Sequence, residues 1–254
     1  GKPLILSGGP GSGKTTVLIE AAISRINVGQ DPNSILVLTF GRERASELRD
    51  AIALQTSQTM LEPLARTFHA LAHSILKAEG HNPILLSGPE QEGWIRQLVD
   101  GVEWPTELQP ALHTRGFIRE LRDLMLRATE SGWTPDDLQR NGQKYKEEFW
   151  VAASKFWKSY IGTLILVDAD HGEPKERLDS AQLMWRAANV TRNAFKSQFK
   201  TILVDEFQES DKAQRALLKN IAVDDLVIAV DQYSTVGRFR GADPDGLQEA
   251  LAPY

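Results

Sequence analysis

The 254-residue sequence contains no cysteine. It therefore has no disulfide framework, no thiolate zinc site, no iron–sulfur cluster and no cysteine nucleophile, and we predict a reducing cytoplasm as its compartment. It also has no unbroken apolar stretch near the roughly 18–20 residues that a membrane helix needs. Its opening apolar run is too short for a secretory signal. We therefore expect no membrane partner.

The sequence has little excess of either charge. With 29 basic and 34 acidic side chains its net charge is −5, which argues against a uniformly basic coat for nucleic acid. The acidic excess lies entirely in residues 201–254, which carry 10 acidic and 5 basic side chains. A nucleic-acid groove elsewhere in the chain is therefore compatible with the composition.

Four short, continuous apolar runs predict parallel strands covered by helices on both faces. They are Leu4–Leu6, Ile35–Leu38, Ile202–Val204 and Leu226–Val230. Helical periodicity follows the first two runs, at 15–26 and 42–54, and a third helix is predicted to begin near Ser210 as its N-cap. This alternation predicts a doubly wound α/β fold.

Residues 80–194 differ from the rest, because they lack clear strand runs and show strong helical periodicity. We predict that they form an inserted helical subdomain. The α/β core would then consist of two parts, 1–79 and 195–254.

Within this insertion, apolar stripes at 117–128 and 149–164 predict two helices with buried faces. Thr134 followed by Pro135 is typical of a helix start. The segment Asp168–Gly172 is expected to be a solvated loop between helices.

The strongest motif follows the first predicted strand and matches the pattern G-x-x-x-x-G-K-[ST] at every defined position. Its glycines allow backbone N–H groups to converge on phosphate oxygens, and the start of the next helix adds a favourable field. Lys14 is predicted to reach the β- and γ-phosphates, and Thr15 to ligate Mg²⁺. The predicted nucleotide-binding residues of this loop are Gly8, Gly9, Pro10, Gly11, Ser12, Gly13, Lys14, Thr15 and Thr16.

A pair of carboxylates ends the third apolar run. Asp205 is predicted to hold Mg²⁺ together with Thr15, and Glu206 to orient or deprotonate the attacking water. Lys14, Asp205 and Glu206 are therefore the predicted catalytic residues, with ATP and Mg²⁺ as cofactors. The guanine-specifying N-K-x-D pattern is absent, which weighs against a GTPase.

Four further segments stand out, at Leu38–Leu48, Arg66–Leu71, Val204–Ser210 and Phe239–Asp243. Together they resemble superfamily 1A DNA helicases of the UvrD/Rep/PcrA type. Val204–Ser210 resembles motif II (V-D-E-[YF]-Q-D-[TS]), and Leu38–Leu48 resembles motif Ia (T-F-T-N-K-A-A-x-E-M). Arg66–Leu71 is similar to the T-F-H element of motif Ib, and Phe239–Asp243 matches the F-R-G-A-D end of motif III. The resemblance covers nearly the whole chain and implies a P-loop (RecA-like) α/β fold, with a parallel sheet, helices on both faces and an inserted all-α subdomain.

The resemblance also implies a track for single-stranded DNA. Phe40 and Phe239 become candidate platforms for base stacking, which tolerates any sequence and contributes about 1–3 kcal/mol per base. The residues implied to contact the DNA backbone are Arg42, Arg44, Thr67 and His69. The same resemblance implies nucleotide contacts by Gln208, Gln232 and Arg240.

Motif III departs from the family pattern. A gapless alignment puts Ser234 at the usual glutamine, and Gln232 takes that role only if the following turn is two residues longer. Losing a hydrogen bond to a charged phosphate costs about 1.5–3 kcal/mol, so slow hydrolysis is predicted.

Three functions compete on this evidence. The first is the ATP-binding motor domain of a DNA translocase or helicase for repair or recombination, expected alone to hold nucleotide, to hydrolyse it poorly and not to unwind DNA. The second is a weakly or non-hydrolysing helicase-like DNA-binding subunit of a larger complex. The third is a small-molecule P-loop kinase. For the first two, the expected partners are single-stranded and duplex DNA and a partner subunit of a helicase–nuclease complex.

Overall fold

The computed structural model describes residues 3–56, 64–169, 175–190 and 198–231. It divides the chain into two compact units. The sheet unit comprises Gly1–Ile75 with Met184–Tyr254, and the helical unit comprises Leu76–Leu183. The sequence-based division at 80–194 stays a prediction.

Sixteen helices and strands occur in the described residues. In chain order they are β1 (Leu4–Ser7), α1 (Lys14–Asn27), β2 (Ile35–Thr39), α2 (Arg42–Ala53), β3 (Ala65–Thr67), α3 (Phe68–Ala78), β4 (Pro83–Leu85), α4 (Gly88–Leu98), α5 (Arg115–Glu130), α6 (Pro135–Tyr145), α7 (Glu148–Ala169), β5 (Glu176–Leu178), α8 (Ser180–Val190), β6 (Thr201–Val204), α9 (Lys212–Ile221) and β7 (Asp225–Val230). Short 3-10 turns add Pro32–Ser34, Val99–Gly101, Thr106–Ala111 and Phe207–Glu209. Within this part of the chain, no helix combines the length and the apolar character needed to cross a membrane.

The sheet unit contains five parallel strands in the order β1-β7-β6-β2-β3. All four predicted strands are present, and the RecA-like α/β class is confirmed. The additional strand, β3, has only three residues with an arginine in the middle, so it shows no apolar run. Strands β2 and β6 are buried throughout, whereas β1 exposes Leu4 and Ile5.

Helices pack on this sheet through apolar stripes. Helix α1 contacts β6 and β7, and α2 contacts β2 and β3, which closes a core around Leu18, Val37 and Leu203. The N-cap of α9 is Asp211, not Ser210 as predicted. Asp211 accepts from the Gln214 N–H and the Gln214 side chain bonds back, a reciprocal capping box that satisfies two helix-end donors.

The helical unit has an aromatic core. Both predicted stripes pack into this core, with Phe117, Phe156 and Trp157 among its buried residues. Thr134 caps α6, as the sequence predicts, and the structure adds a capping box with Asp137. The unit also contains a short parallel pair, β4 and β5, that no sequence pattern indicated.

One loop prediction in this unit is wrong in part. Asp168 belongs to α7 and is buried, where its carboxylate accepts from the Arg177 backbone N–H and pairs with the Arg177 guanidinium. The ion pair with Arg177 compensates the cost of burying the Asp168 charge. A carboxylate in an isolated loop would lack this compensation. Residues 170–172 of the predicted loop lie outside the described residues.

Candidate functional site

Candidate site residues converge where the parallel strands end. Because all five strands run the same way, their carboxyl ends meet at one end of the sheet, the usual place for ligands in α/β folds. The phosphate loop follows β1, Phe40 follows β2, Asp205 follows β6 and Asp231 follows β7. We call this region the carboxyl end of the sheet.

Glycines give the phosphate loop its shape. Gly11 and Gly13 have φ angles of 72° and 84°, in the left-handed region that favours glycine. A Cβ on Gly8 would lie 2.6 Å from the Ser12 hydroxyl, so the loop closes tightly there. Helix α1 begins at Lys14, directly after this turn.

Lys14 ties the loop to the neighbouring strand. Its ammonium donates to the carbonyl oxygens of Gly8 (2.5 Å) and Gly9 (2.7 Å), and it lies 4.0 Å from the Asp231 carboxylate. Asp231 is buried, and its backbone N–H donates to the Gln208 side chain at 2.8 Å. Gln208 therefore links the segment after β6 to the end of β7. Asp231 was not predicted as a site residue, although a charged residue after a buried strand is the relevant signal.

The two predicted magnesium ligands touch each other. The Thr15 hydroxyl donates to the Asp205 carboxylate at 3.0 Å. Arg44 joins them, since its Nη2 donates to Thr15 Oγ1 at 2.7 Å and its Nε to Asp205 Oδ2 at 3.3 Å. Glu47, one turn further along α2, accepts from Arg44 Nη1 at 3.0 Å.

This oxygen pair fits magnesium. Octahedral Mg²⁺ with bonds of about 2.0–2.1 Å places adjacent ligand oxygens about 2.9 Å apart. The Thr15 and Asp205 oxygens are 3.0 Å apart and bring one hydroxyl and one carboxylate, both hard ligands. Among the described residues no cluster of three or more His, Asp or Glu side chains could hold a metal by itself. The pair therefore suits an ion that takes its remaining ligands from phosphates and water.

Glu206 has the electrostatics of a proton acceptor. Burial raises the pKa of its carboxyl above the ordinary value, the Asp205 charge adds to this, and Arg44 partly opposes it. Its backbone has φ 55°, a left-handed conformation that is uncommon outside glycine. Such strain is held at functional sites by the surrounding structure.

A basic cavity of about 610 Å³ lies between α2 and the β3–α3 segment. The residues that line it are Arg42, Ala45, Arg49, Arg66, Thr67, Ala70 and Ser74. It brings together two of the predicted DNA contacts, Arg42 and Thr67. Arg49 and Arg66 were missed, because Arg49 follows the motif Ia segment and Arg66 precedes the T-F-H element of motif Ib.

The remaining predicted DNA residues have different surroundings. The Phe40 ring packs against the buried Phe68 with centroids 5.0 Å apart and an interplanar angle of 30°, and it stays partly exposed. Burial and the nearby Arg42 lower the pKa of the His69 imidazole, which favours its neutral form. Thr67 is buried, and its hydroxyl accepts from the Ala70 N–H at the start of α3.

Arg44 does not join Arg42 at the cavity. The two residues are two positions apart on α2, and such positions do not face the same side of a helix. Arg44 lies instead against Thr15 and Asp205. Of the other predicted residues, Gln232, Phe239 and Arg240 lie outside the described residues, as does Ser234.

A parallel sheet with a glycine-rich loop before the first helix and an acidic residue after a buried neighbouring strand defines a RecA-like domain of the P-loop class. Comparison with known families agrees with this class. A model of the family described as UvrD/REP helicase N-terminal domain matches residues 1–254. The chain belongs to this family. The alternative of a small-molecule kinase is thereby set aside.

Individual relatives are similar over nearly the whole chain. DNA helicase II of Escherichia coli is 26% identical over 99% of this chain and 34% of its own length. DNA helicase IV of the same organism is 27% identical over 94% of this chain and 39% of its length. The ATP-dependent DNA helicase PcrA of Leuconostoc citreum is 23% identical over 96% of this chain and 32% of its length. The chain thus spans about a third of the length of these relatives.

Proposed function

We propose that this chain is the ATP-binding motor domain of an ATP-dependent translocase or helicase on single-stranded DNA. The observation that supports this most directly is the contact between Thr15 and Asp205, which joins the phosphate loop to the strand that ends in two carboxylates. Residues 190 positions apart in sequence meet there at magnesium-ligand spacing.

Each residue of the site has a proposed role. Lys14 leaves its carbonyl partners for the β- and γ-phosphates, and the loop N–H groups surround the phosphate oxygens. Thr15 and Asp205 would hold Mg²⁺, which would neutralise charge on the phosphates. Glu206 accepts the proton of the attacking water, a task suited to a carboxylate of raised pKa.

Gln208 is proposed to act by positioning. Its side chain holds the backbone of Asp231, and Asp231 faces Lys14, so the three residues connect the strand ends around the phosphates. The nucleotide contacts of Gln232 and Arg240 stay predictions.

The basic cavity is the proposed DNA surface. Its three arginines suit phosphate oxygens, and Phe40 offers a partly exposed ring for a base. The neutral form of His69 fits hydrogen bonding better than charge neutralisation. Stacking by Phe239 stays a prediction.

Nucleotide binding tests the proposal. A fluorescent ATP analogue is titrated with Mg²⁺ into the chain, and Lys14→Ala is expected to weaken binding about 10- to 100-fold, the scale of one lost charge-assisted hydrogen bond. The matched control is Lys219→Ala, an exposed lysine at the far end of α9, which should bind like the unmutated chain. Equal binding by both variants would contradict the proposed site.

DNA binding tests the proposed DNA surface. Arg49→Ala is expected to weaken binding of an oligonucleotide of any sequence to about the same degree, and to reduce the salt dependence by about one phosphate contact. A sequence-dependent loss, or no loss, would remove the cavity from the DNA track.

The non-hydrolysing alternative makes the same binding predictions but a different kinetic one. If the full-length protein binds nucleotide and single-stranded DNA yet does not hydrolyse ATP when both are present, the scaffold function is supported instead. A partner subunit of a helicase–nuclease complex and duplex DNA as a second substrate stay predictions. So does the cytoplasmic location, which rests on the lack of cysteine.

A further inference from the structure

The Arg44 guanidinium contacts both oxygens to which the proposed function assigns magnesium. Nη2 is 2.7 Å from Thr15 Oγ1 and Nε is 3.3 Å from Asp205 Oδ2. The third nitrogen, Nη1, is held by Glu47 at 3.0 Å. A cation that belongs to the chain itself therefore lies at the point where an external cation would bind.

Charge explains why the guanidinium lies there. The Asp205 side chain is 1% exposed, and a buried carboxylate is costly without a compensating charge. The Arg44 guanidinium lies 3.3 Å from this carboxylate, and a guanidinium stays protonated in proteins. Arg44 is therefore a permanent countercharge for Asp205.

The guanidinium and a magnesium ion compete for the same two oxygens. Thr15 Oγ1 donates a hydrogen bond to Asp205 and accepts one from Arg44, so Arg44 already uses one of its two lone pairs. A magnesium ion about 2.1 Å from this oxygen would also face a second cation at close range, which is strongly unfavourable. The two cations therefore compete for this position.

The Arg44 side chain can also leave the site toward solvent. Its side chain is 35% exposed, and that of Glu47 is 65% exposed, so the pair reaches from the site to the surface of α2. The Glu47 contact spans one helical turn and is open to water, where such pairs contribute little. Rotation of the Arg44 side chain toward solvent breaks contacts within this site and leaves the α2 backbone in place.

We propose that Arg44 is a tethered counter-cation that occupies the magnesium position and leaves it when magnesium and nucleotide bind. Arg44 thereby sets the magnesium concentration that nucleotide binding requires. This inference rests on the proposed function, because it concerns the same Thr15–Asp205 pair.

The test measures the free Mg²⁺ concentration that gives half-maximal binding of a fluorescent ADP analogue. Arg44→Ala is expected to lower this midpoint about three- to tenfold, since the competing contacts are charged but partly exposed to water. With EDTA in place of Mg²⁺, the variant should bind the analogue no more tightly than the unmutated chain. Arg25→Ala is the matched control, because Arg25 also pairs with an aspartate and lies in the same unit but away from the carboxyl end.

Arg44→Lys keeps the charge but loses the planar fork of donors, and its midpoint should fall between those of the other two proteins. Circular dichroism verifies that each variant is folded, and alanine is well tolerated in a helix. An unchanged or higher midpoint for Arg44→Ala would overturn the inference while leaving the proposed function intact. If the unmutated chain shows no magnesium-dependent binding at all, both fail.

Discussion

The same three residue types meet at both ends of the parallel strands, yet their geometry differs. At the amino end, Arg25 forms two hydrogen bonds of 2.6 Å to the two oxygens of Asp225, the first residue of β7. Thr201, the first residue of β6, donates to the same carboxylate at 2.5 Å. This trio is closed: a bidentate pair completed by a hydroxyl, the strongest arrangement for an arginine and a carboxylate.

At the carboxyl end, the trio is open. Arg44 makes a single bond of 3.3 Å to Asp205 and gives its shorter contact, 2.7 Å, to Thr15. No second nitrogen of Arg44 pairs with the other oxygen of Asp205 in the contacts of the described residues. Arg44 thus satisfies the Asp205 carboxylate less completely than Arg25 satisfies that of Asp225. The Asp205 carboxylate can therefore still accept a ligand.

The two ends of the sheet also differ in the pKa values of nearby carboxyl groups. At the amino end, the hydrogen bond from Arg25 lowers the pKa of the Asp225 carboxyl. Burial raises the pKa of Glu206, and it raises that of Asp211 to about 6. Thr39, the last residue of β2, has a buried hydroxyl without a hydrogen-bond partner among the described residues. The amino end therefore stabilises the fold, whereas the carboxyl end retains unfavourable charge and polarity that binding can relieve.

The largest effect that separates the two ends is expected for Asp205→Asn. Groups that merely orient metal ligands cost about 10- to 100-fold in metal affinity when replaced, so losing the ligand itself should cost about 100-fold or more. Asparagine still accepts from Thr15, and the partly exposed Arg44 can turn toward solvent, so the sheet should stay folded. Magnesium-dependent nucleotide titration and hydrogen exchange at the β6 amides measure the two quantities. If this substitution unfolded the sheet, the carboxyl end would stabilise the fold, contrary to the comparison.

The next largest effect is the pH dependence of stability that Asp211 causes. Its folded pKa of about 6 lies above the ordinary aspartate value, so the folded state holds the proton more tightly. The stability from this group is therefore complete below about pH 4 and is lost as the pH rises through about 6. Asparagine keeps the cap without the charge.

As the pH rises from 4 to 7, the stability of Asp211→Asn is therefore expected to increase by about 2 kcal/mol relative to that of the unmutated chain. Urea unfolding followed by hydrogen exchange in α9 measures the difference at both values. A difference that does not change with pH would show that the buried cap carries no electrostatic cost.

Local sequence patterns allowed much of the carboxyl end of the sheet to be predicted. The phosphate loop, Asp205 and Glu206 were found because each follows an apolar run directly, so chain order alone places them at a strand end. The parallel strands were found because burial on both faces makes them continuous apolar runs. The α9 N-cap was misplaced by one residue because Ser210 and Asp211 are both good cap formers.

The rest depends on non-local geometry. Asp231 approaches Lys14 only because β7 lies beside β1, and no local signal gives that strand order. Arg44 was predicted on the DNA side because motif resemblance follows chain order and not helix faces. Its contact with Thr15 depends on how α1 and α2 pack together.

A smaller effect is expected at the amino end for Asp225→Asn. Hydrogen bonds to charged groups contribute about 1.5–3 kcal/mol, but the Asp225 side chain is 41% exposed, so we expect a loss of about 1 kcal/mol. Because the folded pKa is lowered, this stability is present above the unfolded value and is lost as the pH falls through the folded one. Hydrogen exchange at β7 measures it, and nucleotide affinity should not change. Weaker nucleotide binding would show that the amino end contributes to the site.

The smallest and most specific comparison replaces arginine by lysine at each end. Arg25→Lys keeps the charge but allows one bond where there were two, so a loss of about 0.5–1 kcal/mol is expected. Arg44→Lys loses no bidentate pair, so its stability should stay within about 0.5 kcal/mol of the unmutated chain. Both are measured by hydrogen exchange in the sheet unit, each serving as the other's control. Equal losses would mean that the carboxyl-end trio is as closed as the amino-end one, and that Arg44 is a structural residue which does not yield its place to magnesium.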